Sequence, residues 1–407
     1  MPPDLASRYG LKPGARIPIE EVMEGLRLSL PVTHLAKLYI EPTNTCNLKC
    51  RTCIRNSWEG SMGQMDPATF ARIMAGLRGF SPPPMVFFGG FGEPLMHPDI
   101  VAMVTQAKAL GGSVELITNG TMLTRAMSRQ LVAAGLDMLW VSLDGATPAS
   151  YADVRLGAAL PEVLANLIAF REERWITGRV TTLAGQRIPE LGIVFVAMKR
   201  NIADLPQVLQ LRGVSRFVVT NVLPYTPEMT QEALYFRSGK SKIRWVSLRH
   251  AELHLPRIDL DSTTREALYW ALHDRHSISW AGVHLGEGLD RCPFIKNGAT
   301  AISWEGNLSP CLPLLHTHIS FLDKRERFSQ RHVQRYIIGN INEDDLQDLW
   351  NKPDYIAFRE KVQNFDFAVC ASCGACELAE KNEEDCFGGK FPSCGGCLWA
   401  KGIIFCP

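Results

Sequence analysis

From Leu35 onward, short apolar runs alternate with helix-length segments of mixed polarity. The runs "LAKLYIEP" (35–42), "PMVFFGG" (84–90), "SVELITNG" (113–120), "MLWVSLDG" (138–145), "LGIVFVAM" (191–198) and "RFVVTNVLP" (216–224) read as buried strands. Helical patterns separate them: "DPATFARIMAGLRGF", with Asp66 as N-cap and Pro67 at the first helical position, then "PDIVAMVTQAKAL", "TRAMSRQLVAAG", "PEVLANLIAFREERWIT" and "ADLPQVLQL". Strands rich in Val, Ile, Leu and Phe that alternate with helices predict a parallel sheet covered by helices, hence an α/β fold. Six such units are too few for a full eight-fold barrel and fit an open, partial (β/α)6 barrel of the TIM type. In barrels and open sheets alike, chemistry gathers at the C-terminal ends of the strands. The least ordinary residues sit there: a cysteine loop follows the first strand, "GGFGEP" the second, "TNG" ends the third and "SLDG" the fourth.

The same pattern divides the chain into an N-terminal extension (1–34), the α/β core (35–224), a bridging region (225–291) with charged stretches such as "RSGKSKIRW", and a C-terminal region (292–407). In the last, "ISWEGNLSPC" (302–311) predicts a hairpin, and "IIGNINEDDLQDLWNKPDYIAFREKV" (337–362) a short strand and an amphipathic helix.

Composition narrows the function. The 407 residues are 46% apolar and 21% charged, ordinary for globular protein, and the formal net charge of +1 predicts no nucleic-acid partner. No apolar run has the length of a signal peptide or a membrane span, so the expectation is a soluble, cytoplasmic protein without membrane association. In that compartment the twelve cysteines stay reduced, and metal ligation is their leading explanation. They are grouped: Cys46, Cys50 and Cys53; then Cys292 and Cys311; then Cys370, Cys373, Cys376, Cys386, Cys394, Cys397 and Cys406. Two metal-bearing regions of different construction are expected.

The first group, in "EPTNTCNLKCRTCIRNSW" (41–58), stops at three. Structural zinc and closed iron-sulfur centres take four ligands, so either a remote residue completes the set or one position stays open. The spacing of three residues and then two, in a loop after a first parallel strand, resembles the radical S-adenosylmethionine (SAM) enzymes. In that family three cysteines bind a [4Fe-4S] cluster whose fourth iron is left for the amino and carboxylate groups of SAM. The resemblance implies reductive cleavage of SAM to a 5′-deoxyadenosyl radical. "FFGGFGEP" resembles the family's glycine-rich motif, with Gly89, Gly90 and Gly92 letting backbone approach the ligand and Glu93 accepting a hydrogen bond from the SAM ammonium. "VSLDGATPASYADVRLG" resembles the strand-four segment, which makes Ser142 and Asp144 polar contacts to SAM and Arg155 the partner of its carboxylate. Asn119 of "LITNG" is expected to reach the same cofactor. Taken singly these residues read as a tight turn, a capped loop, a surface charge and a turn asparagine. One departure stands out: where many members carry an aromatic residue before the third cysteine, this chain has Thr52, leaving Ile54 or backbone for the adenine.

The C-terminal cysteines open two readings. Cys370, Cys373, Cys394 and Cys397 form two CxxC pairs 20 residues apart, a zinc-ribbon pattern. Against zinc, "CPFIKNGATAISWEGNLSPC" and "IIGNINEDDLQDLW" resemble the SPASM extension behind many radical SAM domains, which implies two auxiliary [4Fe-4S] clusters. Nine cysteines exceed by one the eight that two closed clusters need. By order along the chain, Cys292 and Cys311 start one cluster and Cys370 and Cys373 the other. Whole stretches, "CNLKCRTCIRNSW", "TNVLPYTPEM" and "KNEEDCFGGKFPSCGGCLWAKGIIFCP", resemble the radical SAM/SPASM maturases of tungsten-containing aldehyde ferredoxin oxidoreductases. The resemblance implies an enzyme that modifies a peptide, protein or cofactor precursor while maturing a tungsten oxidoreductase, fed by an electron donor of ferredoxin or flavodoxin type. The other readings are peptide crosslinking or haem modification on the same radical core and, in another class, a non-catalytic electron-transfer or zinc protein. No catalytic residue beyond the cofactor site is assigned.

Overall fold

The computed structural model describes residues 6, 17, 19–22, 25–28, 31–58, 60–183, 188–235, 251–259, 261–273, 276–280, 292–324, 327–368, 370 and 377–407. The six predicted strands form as β1 (Lys37–Ile40), β2 (Met85–Phe88), β3 (Val114–Thr118), β4 (Met138–Ser142), β5 (Glu190–Ala197) and β6 (Arg216–Asn221), each parallel to the next. The sheet does not end there. The bridging region adds β7 (Ala251–Leu255) beyond β6 and β8 (His276–Trp280) beyond β7, both parallel. At the other edge β9 (Ala299–Ile302) pairs parallel with β1, and β10 (Asn307–Ser309) returns antiparallel to β9, the hairpin expected at 302–311. Gly339–Asn340 closes that edge. Among the described residues the result is one open sheet of eleven strands, a partial barrel whose two edges do not pair.

Alternation along the strands explains its two layers. Leu38, Ile40, Val86, Phe88, Leu139, Val141, Ile193 and Phe195 point to one face and pack with helical residues such as Ile73, Leu77, Val104, Leu131 and Phe170. Those come from α1 (Pro67–Leu77), α2 (Ile100–Lys108), α3 (Arg125–Ala133) and, after the short α4 (Pro148–Val154), α5 (Leu160–Leu183). The capping read from sequence is in place: the Asp66 carboxylate accepts from the N–H groups of Ala68 and Thr69, with Pro67 opening α1.

The opposite face carries Tyr39, Phe87, Met138, Trp140, Val194 and Val218, and the C-terminal region covers it with Phe294, Leu312, Leu315, Trp399 and Ile404. A strap of residues 402–407 runs along this inner wall. Phe405 N–H donates to Thr220 Oγ1, Asn221 Nδ2 to the Ile403 carbonyl, and Lys37 Nζ and Tyr39 Oη to the Pro407 carbonyl at 2.8 and 2.9 Å. Core and C-terminal region therefore share one buried interior, and the seam between them opens at the C-terminal ends of β1 and β2.

Candidate functional site

The cysteine loop leaves β1 at Glu41 and is tied down by backbone: Lys49 N–H donates to the Leu156 carbonyl, and Arg51 N–H to that of Val154 at the end of α4. Side chains aim one donor group at each thiol. Arg55 Nε donates to Cys53 Sγ at 3.3 Å, Asn119 Nδ2 lies 3.7 Å from Cys46 Sγ, and Arg155 Nη1 lies 3.9 Å from Cys50 Sγ. Leu48 N–H adds a second donor to Cys46 at 3.4 Å. Burial pushes the Cys46 and Cys50 thiols up, with Arg155 pulling Cys50 back. Burial likewise opposes the charge on Arg55 and Arg155, yet the neighbouring Cys53 and the Asp144–Cys50 pair raise them above the usual arginine range. Such a surround suits thiolates, the form that ligates metal.

Among the described residues no three His, Cys, Asp or Glu side chains converge as a single ion would require. A four-iron cluster spreads its thiolates over the corners of a cube, and three sulfurs each matched to an N–H donor fit that group.

The predicted SAM residues gather around this loop, and the structure shows what each already holds. Glu93 is 1% exposed, and its carboxylate accepts from Thr118 Oγ1 (2.7 Å), Asn119 N (2.7 Å) and Leu95 N (3.0 Å); burial pushes it up, against the pull of these donors. Asn119 donates to Asn47 Oδ1 and accepts from Thr121, pinning the loop beside Cys46. Asp144, fully buried, holds Arg155 through Nε and Nη2, both at 2.7 Å, and also accepts from Val196 N. Ser142 ends β4 with its hydroxyl unpartnered among the described residues.

The glycines have a local reason different from ligand approach. A Cβ on Gly92 would lie 2.1 Å from the Thr43 carbonyl oxygen, and one on Gly90 would lie 2.7 Å from Glu41 Cγ. Their bareness lets the glycine-rich turn nest against the base of the cysteine loop. Ile54, the expected substitute for an aromatic at Thr52, is 2% exposed and packs with Trp58 and Tyr225, so its side chain is turned away into the interior.

Behind the loop lies the second set of thiols. Cys292, Cys311, Cys394 and Cys397 line one cavity of ≈ 80 Å³, walled mainly by Phe294, Leu314, Leu398 and Trp399. Burial pushes Cys292 up to about 12 and Cys311 and Cys394 well above the thiol range, and the neighbouring thiols add to the rise. Cys370 lies alongside, its backbone close to Gly395. Cys406 accepts from Trp399 Nε1 at 3.3 Å beside the inner wall, and Cys386 is exposed. Cys373 and Cys376 lie outside the described residues.

Sequence reasoning missed the seam. There Glu41, 0% exposed, accepts from Phe91 N–H at 3.1 Å and pairs with His316 Nε2 at 2.8 Å. His316 packs against Trp58 with ring centroids 4.4 Å apart and the planes tilted by 50°. His316 and Trp58 line a cavity of ≈ 960 Å³ with His318, His332, Trp304 and Arg335. The available signal was a carboxylate, Glu41, directly after the apolar run "LYI" of β1.

Comparison with known proteins agrees with this geometry. The model of the radical SAM superfamily matches residues 40–190, and that of the SPASM iron-sulfur cluster-binding domain residues 292–377. The chain is 32% identical over 381 residues to the tungsten-containing aldehyde ferredoxin oxidoreductase cofactor-modifying protein of Pyrococcus furiosus, covering 91% of this chain and 96% of that one. It is 21% identical to pre-heme d1 synthase of Dinoroseobacter shibae, over 82% of this chain and 77% of the relative. Two solved structures share the fold at 16% identity and a TM-score of 0.53: Streptococcus suis SuiB bound to S-adenosylmethionine, over 87% of this chain and 72% of that one, and native anSMEcpe with bound AdoMet, over 90% and 95%.

Proposed function

Since this chain belongs to the radical SAM superfamily and carries a SPASM iron-sulfur domain, we propose that it matures a tungsten-containing oxidoreductase by modifying a cofactor precursor or peptide of that enzyme. It is a radical SAM enzyme, with a [4Fe-4S] cluster and SAM as cofactors. The observation that carries the maturation reading is the similarity to the Pyrococcus furiosus protein, which spans 91% of this chain and 96% of that one.

Cys46, Cys50 and Cys53 would hold the SAM cluster, which when bound supplies the electron that splits SAM into methionine and a 5′-deoxyadenosyl radical. The chain's own part is charge and position. Arg55, Arg155 and Asn119 direct N–H groups at the three sulfurs and so stabilise the negative cluster. Glu93 offers its carboxylate to the SAM ammonium, and Ser142 has a hydroxyl to give. Arg155 would meet the SAM carboxylate as a partner shared with Asp144, which fixes its orientation. Gly89, Gly90 and Gly92 set the turn that carries Glu93.

Cys292, Cys311, Cys394 and Cys397 would form the ligand set of one auxiliary cluster, supported by their common cavity. A second would draw on Cys370, Cys373, Cys376, Cys386 and Cys406. A low-potential ferredoxin or flavodoxin would deliver the electrons. Among the described residues no helix is long and apolar enough to cross a membrane.

The test is anaerobic reconstitution followed by iron, sulfide and 5′-deoxyadenosine analysis, then assay of a tungsten oxidoreductase matured with and without this protein. Iron-sulfur clusters, SAM cleavage and oxidoreductase activity that depends on the protein are expected. Zinc without sulfide would sink the reading, and activity indifferent to the protein would sink the maturation role.

A further inference from the structure

The seam cavity holds a carboxylate–imidazole pair to which no cofactor role is assigned above. Glu41 arrives from the end of β1 and His316 from the C-terminal region, 275 positions apart, and they meet at 2.8 Å with both side chains buried. Glu41 is fixed on its other oxygen by Phe91 N–H, and Gly90 is bare because the Glu41 side chain occupies the space a Cβ would take. A carboxylate accepts only, so the hydrogen lies on Nε2 of His316. In its neutral form the ring carries its lone pair on Nδ1, which makes no hydrogen bond among the described residues. The ring lines the ≈ 960 Å³ cavity.

One further group at the seam lacks a partner: among the described residues Trp58 Nε1 is buried and unpaired, and its ring packs in one cluster with Ile54 of the cysteine loop. An orphaned indole N–H is costly to bury unless a ligand satisfies it. It can only donate, so the ligand must present an acceptor atom.

We propose that His316, oriented by Glu41, is the proton acceptor for a substrate with an acidic O–H or N–H group that binds in the seam cavity. This rests on the radical reading above and names the residue which that reading leaves open. In the step, the substrate's O–H or N–H bond breaks, its electron pair stays on the heteroatom, and the proton bonds to Nδ1. The imidazolium so formed faces the Glu41 carboxylate, which stabilises it. Glu41 acts through His316 and is a positioning residue.

The test uses the full-length reconstituted protein with SAM, a reductant and the unmatured tungsten oxidoreductase. It reads oxidoreductase activity and, separately, the ring ¹⁵N shifts of the ten histidines. His316→Gln keeps a donor for Glu41 and so preserves the fold; it should lower maturation on the order of 10²–10⁴-fold. His316→Ala should fall as far and recover about tenfold with added imidazole. The His316 resonance, identified by its absence in His316→Gln, should report hydrogen on Nε2, a signature that Glu41→Gln weakens. Wild-type maturation by His316→Gln, or a folded His316→Ala that imidazole does not rescue, would make the pair a structural tie and overturn the proposal. If the wild-type protein matures nothing, the maturation reading fails by itself. The ring still decides here: hydrogen on Nδ1 overturns the base, and hydrogen on Nε2 upholds it.

Discussion

The two groups of cysteines solve the problem of negative charge in opposite ways. The front loop brings its own compensation: Cys46, Cys50 and Cys53 each face an N–H donor, two of them from arginines. The rear cavity has four thiols within mainly apolar walls, with Arg331 as the one Lys or Arg among the described residues of its lining. Burial drives those thiols up, and a metal that takes their charge would offset that cost. The front site is thus organised by protein, whereas the rear one needs its metal to be organised. Local sequence spacing makes the first, and convergence of distant segments makes the second.

The most drastic way to test that contrast is Cys50→Ala. It should abolish 5′-deoxyadenosine formation and remove about four irons per chain, with the remaining iron retained; loss of all iron would erase the distinction between the sites. Next, replacing Cys394 and Cys397 together with alanine should speed amide exchange in 292–315 and 394–406 on the order of 10²-fold or more, because metal binding and local folding are coupled. Protection of the cysteine loop should stay, and equal loosening at both sites would refute the comparison.

Arg155→Met probes the front. It strands the buried Asp144 charge and should cost about 3–5 kcal/mol in urea unfolding, while an unchanged midpoint would mean that the pair is dispensable. The smallest effect concerns His318, whose imidazole burial pushes down to about 4. Above pH 6.5 both folded and unfolded forms are neutral, and nothing is lost. As pH falls from 6.5 towards 4 the unfolded chain takes up a proton that the folded one refuses, so stability declines by roughly 3 kcal/mol. His318→Asn retains a donor for the His316 carbonyl and should flatten that decline; an unaltered slope would show that the acid loss arises elsewhere.

Much of the core was legible because its strands are apolar on both faces, a signal that survives without tertiary information. Asp66, Pro67 and the loop at the end of β1 are where pattern and capping rules put them. β7 and β8 were not legible: "AELHL" and "HSISW" mix polar with apolar positions, and parallel pairing of β7 to β6 and of β8 to β7 makes them strands. The candidate SAM residues were named as a group, but their mutual bonds were hidden. Asp144 and Arg155 were read as two contacts to a ligand, and they are first a contact to each other. The union of Cys394 and Cys397 with Cys292 and Cys311 lay beyond spacing rules, since it depends on how the tail crosses the sheet. The pairing of Glu41 with His316 was hidden for the same reason.

The strap on the inner wall also sets a schedule for synthesis. Lys37 and its acceptor on Pro407 are 370 positions apart, and at roughly 5–20 residues per second they leave the ribosome about 20–75 s apart. For the later part of that interval, once Trp140 has emerged, Tyr39, Phe87 and Trp140 form an apolar wall still waiting for Trp399 and Ile404. A nascent chain in that condition needs shelter from its neighbours, so recombinant yield should follow the supply of chaperones more closely than the stability of the finished protein.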